Sequence, residues 1–302
     1  MAGRVQVAIS ADGTEIVGRV RGQGPPLVLV HGGWGDGEVA YEALVPHLAD
    51  RFTCYTPSTR GRGLSGDNPD HSVHRLLQDV IAFIDTIGEP VYLVGWSGIE
   101  PSLGAAAQSS AVSAVALFEG YVPPAAGEDD LASLGATIER TGAAAADGRL
   151  ADAARAFAPF VGTGAELAAL DENFFERWGR SIPAMLQYFQ QDPSTEGPRP
   201  YDPEQLAKIS APVVALWSRE TTKTTWVSKS AQYLAQHVAD GYVRELAGCG
   251  HLAPLLAPEL LAKELTSFFE SVRKVQRARA VVPLHAHYAA LNPEERETAR
   301  KP

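Results

Sequence analysis

Residues Pro90 to Gly98 read PVYLVGWSG, and this stretch decides the fold. Its first five residues are an unbroken apolar run, as expected of a strand buried on both faces. The run stops at Gly95-Trp96-Ser97-Gly98, and an Ala-rich stretch to about Gln108 reads as a helix. A Ser on so sharp a strand-to-helix turn exposes its hydroxyl, and the next backbone N–H points into the same space. The helix start behind it adds a positive dipole end. Taken alone, a Ser here also serves as a plain helix cap.

On either side of this unit the pattern repeats. Val5–Ile9 and Glu15–Val20 alternate like a hairpin around Ala11-Asp12-Gly13. Pro26–Val30, Phe52–Thr56, Val112–Phe118, Pro212–Trp217 and Tyr242–Leu246 read as strands. Glu38–Leu48, Val73–Ile87, Trp226–Val238 and Pro258–Val272 read as helices, the second with Leu76, Leu77, Val80, Ile81, Ile84 and Ile87 on one face. Strands alternating with helices imply an α/β fold with a mostly parallel sheet, helices on both faces. Residues 125–205 interrupt the alternation with helical patterns and the aromatics Phe174, Phe175, Trp178, Tyr188 and Phe189. The expected organisation is therefore a core of 1–124 and 206–272, a helical cap of 125–205 and a C-terminal extension of 273–302.

Composition narrows the function. The chain has 302 residues, and 26 basic against 36 acidic side chains give a formal net charge of −10. That argues against a nucleic-acid or anionic-membrane surface. Met1–Gly13 has no apolar stretch long enough for a signal peptide, so a cytoplasmic location is the default expectation. Two cysteines, Cys54 and Cys249, do not make a disulfide framework. Residues 273–302 hold seven Lys or Arg and three Glu. Such a basic tail either packs on an acidic surface, its own or a partner subunit's, or is a solvated terminus.

Two further loops stand at strand ends, where open α/β sheets place their sites. His31-Gly32-Gly33-Trp34-Gly35 follows a buried strand, and its consecutive glycines let backbone N–H groups line a pocket that can hold an oxyanion. Gly248-Cys249-Gly250-His251-Leu252-Ala253-Pro254 follows the last strand and leaves the His251 imidazole accessible. A flexible connection and an ordinary surface His are the bland readings of the two. No histidine shows metal-ligand spacing, and no phosphate-loop pattern is present.

In this order (strand–HGG, strand–GxS, cap, strand, strand–GxGHxxP) the loops resemble the α/β-hydrolase superfamily over about residues 5–272. Arg60-Gly61-Arg62-Gly63-Leu64-Ser65 is similar to that family's R-G-x-G-x-S segment. The resemblance implies an eight-stranded, mostly parallel sheet, Ser97 as nucleophile, His251 as general base, and the Gly33 and Gly98 N–H groups as the oxyanion hole. Ile99 departs from the G-x-S-x-G pattern, where Gly is usual. Thr221 stands where the family usually places its triad Asp, in Ser218-Arg219-Glu220-Thr221. A minority of the family, including zearalenone-lactonase-like members, takes the acid from the end of the sixth strand, which here is Glu119. A carboxylate at a buried strand end needs a partner, and an imidazolium would serve. Glu119 is the preferred acid and Glu220 the alternative.

With a Ser nucleophile, the resemblance implies a hydrolase for an apolar ester or lactone, needing neither metal nor organic cofactor. C–C bond hydrolysis, cofactor-free perhydrolysis and non-catalytic binding of a small molecule are the competing functions. Trp34, Trp96, Tyr121 and Trp217 near the loops, with Trp178 from the cap, are expected to line the substrate pocket. Superfamily habit and the charged tail are consistent with a homodimer.

Overall fold

A computed structural model describes residues 4–192 and 196–290. Eight strands form one sheet: β1 (Arg4–Ile9), β2 (Glu15–Gly22), β3 (Pro26–Val30), β4 (Thr53–Pro57), β5 (Val91–Trp96), β6 (Val112–Phe118), β7 (Val213–Ser218) and β8 (Gly241–Leu246). Their order is β1-β2-β4-β3-β5-β6-β7-β8. β1 and β2 pair antiparallel, β2 meets β4 antiparallel, and every pairing from β4 to β8 is parallel. Strand order reverses between β3 and β5, the point at which such sheets bind ligands beyond their carboxyl ends. The fold is the one the strand–helix alternation implies.

The helices are α1 (Val45–Leu48), α2 (Val73–Asp85), α3 (Glu100–Gln108), α4 (Glu128–Ala146), α5 (Leu150–Val161), α6 (Gly164–Ala168), α7 (Glu172–Gly179), α8 (Ile182–Gln191), α9 (Pro203–Leu206), α10 (Thr224–His237), α11 (Ala253–Leu256) and α12 (Pro258–Ala290). Each sheet face has its own core, because side chains alternate along a strand. Tyr92, Val94, Trp96, Ala116, Phe118, Val214 and Leu216 point to one face, with the residues of α5, α7 and α12. Val91, Leu93, Val115, Leu117, Val213 and Ala215 point to the other, against α2, α3 and α10. Helices α4 to α8 form an insert between β6 and β7, on the side of the first face.

Two elements differ from expectation. Glu38–Leu48 is not one helix: only Val45–Leu48 is helical, and separate turns precede it. Asp36 starts those turns by accepting from Glu38 N–H and Val39 N–H, and the Tyr41 hydroxyl donates to Val30 O at 2.7 Å. Burial of Val39, Ala40, Tyr41 and Leu44 together outweighs helical periodicity. The expected extension also begins differently, for α12 runs without a break from the core to Ala290. The rest of the 273–302 tail, residues 291–302, lies outside the described residues. Among the described residues no helix is long and apolar enough to cross a membrane.

Candidate active site

The turn after β5 carries Ser97 with φ 63°, and the turn after β6 carries Glu119 with φ 51°. These are the two non-glycine residues with left-handed backbone among the described residues. Such a conformation costs on the order of 1–3 kcal/mol and persists only where the surroundings hold it. The holders are visible. Ser97 N–H donates to Phe118 O at 3.0 Å, and Tyr121 N–H donates to Ser97 O at 3.1 Å. Glu119 N–H donates to Leu216 O at 2.9 Å. Both turns are thus stitched to the neighbouring strand end.

The Glu119 side chain is fully buried. One carboxylate oxygen accepts from Ser218 N–H at 2.5 Å, at the end of β7. The other lies 3.3 Å from His251 Nδ1. His251, 2% exposed, sits in the turn after β8. Its backbone oxygen accepts from Trp96 Nε1 at 3.1 Å, which ties the imidazole loop to the strand that carries Ser97. With Nδ1 turned to Glu119, Nε2 is left for the cavity that Ser97 and His251 both line.

The glycine loop completes the arrangement. A Cβ at Gly98 would come within 2.9 Å of Gly33 N, and one at Gly32 within 2.9 Å of the Ser97 Cβ. The glycine loop and the Ser97 turn therefore lie in close contact, and a side chain at Gly98 or Gly32 would push them apart. His31 and Arg62 brace this loop. The His31 Nε2 accepts from Thr59 N–H at 3.1 Å, which leaves Nδ1 to donate to Gly32 O at 2.8 Å. Burial, aided by the Arg62 charge, pushes the His31 pKa down to about 3, so it stays neutral. Arg62 Nη1 donates to Gly35 O at 2.9 Å.

A family model described as the alpha/beta hydrolase family matches residues 27–264. The chain belongs to this family. Over 74 residues it is 38% identical to a 2-heptyl-3-hydroxy-4-quinolone dioxygenase of Rhodococcus erythropolis, across 23% of this chain and 26% of that protein. Over 79 residues it is 37% identical to a pimeloyl-(acyl-carrier protein) methyl ester esterase of Aeromonas hydrophila, across 25% of this chain and 29% of that one. The chain thus spans less than a third of the length of the curated relatives it matches. A crystal structure of an alpha/beta hydrolase from Sphaerobacter thermophilus matches with a TM-score of 0.62 at 28% identity, over 87% of this chain and 100% of that one.

The departures from the family's usual pattern have local causes. Ile99 is fully buried, and its side chain fills the space over Gly120; a Cβ at Gly120 would overlap the Ile99 Cδ1. The space that the Ile99 side chain occupies is the space left empty by the missing side chain of Gly120. Glu220 is exposed and accepts from Gly248 N–H at 3.1 Å, so the acid beside His251 is Glu119 and not Glu220. Among the described residues no three His, Cys, Asp or Glu side chains cluster as a metal site.

Of the expected pocket residues, Trp34, Trp96, Tyr121 and Trp178 line a cavity of about 330 Å³ shared with Ser97 and His251. Trp217 does not. It alternates with Leu216 and Ser218, so it points to the opposite face of the sheet and packs against the core there. Trp226 and Phe160 take up the wall instead, both packed against the Tyr121 ring. Trp226, the third residue of α10, carried no sequence signal as a pocket residue. Away from Ser97 and His251, a polar cluster interrupts the apolar lining: Glu100, 5% exposed, with Arg199 Nη2 at 3.5 Å, together with Asp192 and Tyr188. Burial pushes the Glu100 carboxyl up to about 7, Asp192 adds to the rise, and Arg199 opposes it.

Two stability measurements follow from these contacts. Gly120→Ala should cost about 1–3 kcal/mol in urea unfolding, with most of it recovered in the Ile99→Ala background. Purely additive losses would refute the shared space. Glu100 gives a pH signature. Between its ordinary value of 4.5 and about 7, the folded chain holds a proton that the unfolded chain has released. Stability therefore falls as pH rises through that window. Glu100→Gln should gain relative to the parent between pH 5 and pH 8, by something on the order of 1–3 kcal/mol. A difference flat with pH would contradict the raised carboxyl.

Proposed function

We propose that this alpha/beta hydrolase cleaves a carboxylic ester or lactone of an apolar small molecule through a Ser97–His251–Glu119 triad. One observation carries the reading: the two strained non-glycine residues are a serine and a glutamate, and one histidine joins them, meeting the glutamate through Nδ1 and sharing a cavity with the serine. Strain of this kind collects at functional sites.

The residues divide the work as follows. His251 Nε2 removes the Ser97 proton, and the Ser97 oxygen attacks the carbonyl carbon. The oxyanion that forms accepts from Gly33 N–H and Gly98 N–H, fixed before reaction by the close packing of the two loops. His251 then returns the proton to the leaving oxygen. A water molecule, deprotonated by the same imidazole, attacks the acyl-enzyme and releases the acid. Glu119 takes no proton. It holds Nδ1–H, so that Nε2 is the basic nitrogen, and it stabilises the imidazolium that forms between the two transfers. The aromatic lining from Trp34, Trp178, Phe160 and Trp226 supports an aryl or alkyl acyl group as the part recognised. The methyl ester esterase among the relatives is consistent with ester chemistry, and helices α4 to α8 serve as the cap over the cavity.

Intact-protein mass after treatment with a small fluorophosphonate should show one adduct on the parent and none on Ser97→Ala. A folded parent that takes up no adduct would sink the hydrolase reading and favour ligand binding without turnover. An ester panel then identifies a substrate for the acid test. Glu119→Gln places an amide NH₂ against His251 Nδ1 or breaks the bond to Ser218 N–H. It should lower kcat by about 10²- to 10⁴-fold. Glu220→Gln should leave kcat within a small factor of the parent, and the opposite ranking would reassign the acid.

A further inference from the structure

The histidine loop is gripped from two sides. Trp96 holds the His251 carbonyl from the sheet. From the helical insert comes Glu166, 8% exposed, near the start of α6. One Glu166 carboxylate oxygen accepts from Leu252 N–H, the residue after His251, at 2.7 Å. The other accepts from Thr163 N–H at 2.9 Å, while the Thr163 hydroxyl accepts from Glu166 N–H at 3.2 Å. Gly250, on the other side of His251, is shaped to this contact: a Cβ there would stand 2.6 Å from the Glu166 carboxyl carbon.

A capping box needs only the bonds within residues 163–166. The bond to Leu252 crosses 86 residues of sequence and serves no purpose in the cap of α6. It is also buried, where a lost hydrogen bond is costly. The carboxylate thereby fixes the backbone on the C-terminal side of His251, and Trp96 fixes the His251 carbonyl itself. The imidazole between them has Glu119 on Nδ1 and little freedom left.

We propose that Glu166 is a positioning residue that ties the helical insert to the histidine loop, so that His251 is set for proton transfer when the insert is docked. It acts by reach rather than by charge. This rests on the Ser97–His251–Glu119 reading for its kinetic consequence, whereas the tie itself is a statement about the loop alone.

Two conservative variants separate reach from charge. Glu166→Gln keeps the length and one acceptor oxygen for Leu252 N–H but loses the charge and the bond from Thr163 N–H. Glu166→Asp keeps the charge but is one methylene too short to span to Leu252. Hydrogen exchange of the peptide covering 248–256 should match the parent in the Gln variant and quicken in the Asp variant. With p-nitrophenyl butyrate as probe, Glu166→Asp should lower kcat by about 10- to 100-fold with KM within about threefold, as a displaced base does. Glu166→Gln should keep kcat within about threefold. Thr163→Ala removes the hydroxyl of the capping box alone and should behave like the parent in both assays. Unchanged exchange in Glu166→Asp overturns the tie. Loss of kcat in Glu166→Gln with retention in Glu166→Asp makes the effect one of charge and overturns the proposal too. So does a Thr163→Ala that copies Glu166→Asp, since helix capping would then explain the loss. If the parent fails to turn over any ester, the hydrolase reading falls, and exchange still decides the tie.

Discussion

A carboxylate sealed from water governs this site. Glu119 is fully buried, and a buried charge is tolerated only when its oxygens are matched to donors. The donors come from two other strand ends: Ser218 N–H at the end of β7 and the His251 ring after β8. For the carboxylate to meet them, the chain at Glu119 must turn into a left-handed conformation immediately on leaving β6. The parallel register of β5 to β8 sets those ends side by side, and the strain at Ser97 and Glu119 is borne by bonds from each turn to the next strand. Slipping any of these strands by one residue would turn every side chain to the wrong face.

Much of this was legible in the chain because it is local. The apolar runs, the glycine-bounded serine and the histidine preceded by two glycines each announce themselves within about seven residues, and their order gives the fold. Trp217 shows where a local reading went astray although the information was present. Val214, Leu216 and Ser218 share a face by strict alternation, so the tryptophan between them had to point away. Its size suggested a pocket wall, whereas its parity excluded one. The region 38–48 failed for a different reason: helical spacing of apolar residues also describes a buried set of turns, and only packing separates the two.

Other features had no local signature at all. Ile99 reads as an offence against the small-residue requirement until Gly120 is seen beneath it, and the two are joined only by the approach of α3 to the end of β6. Glu166 reads as the acidic member of a capping box, which it is, and nothing nearby marks its second bond to Leu252. His31 and Arg62 look like motif letters; their work is to hold the carbonyls of Gly32 and Gly35 so that the glycine loop keeps its shape. For Ile99, Glu166 and Arg62 the decisive partner lies about 20 or more residues away in sequence.

A steric rule is a statement about a gap, and a motif is a statement about one side of it. The turn at Ser97 needs a slim neighbour because strand and helix nearly touch, but physics does not say which side must be slim. In this chain the methylenes sit on the nucleophile's side and the bare backbone on the acid's side, at the residue that follows Glu119. That exchange has a consequence for the acid. Because Ile99 fills the space over Gly120, the backbone just beyond Glu119 is packed rather than free. The left-handed turn of Glu119 is therefore gripped both by its hydrogen bond to β7 and by a side chain from the nucleophile's own turn. The residue that breaks the usual pattern thus helps to immobilise the carboxylate on which the histidine depends.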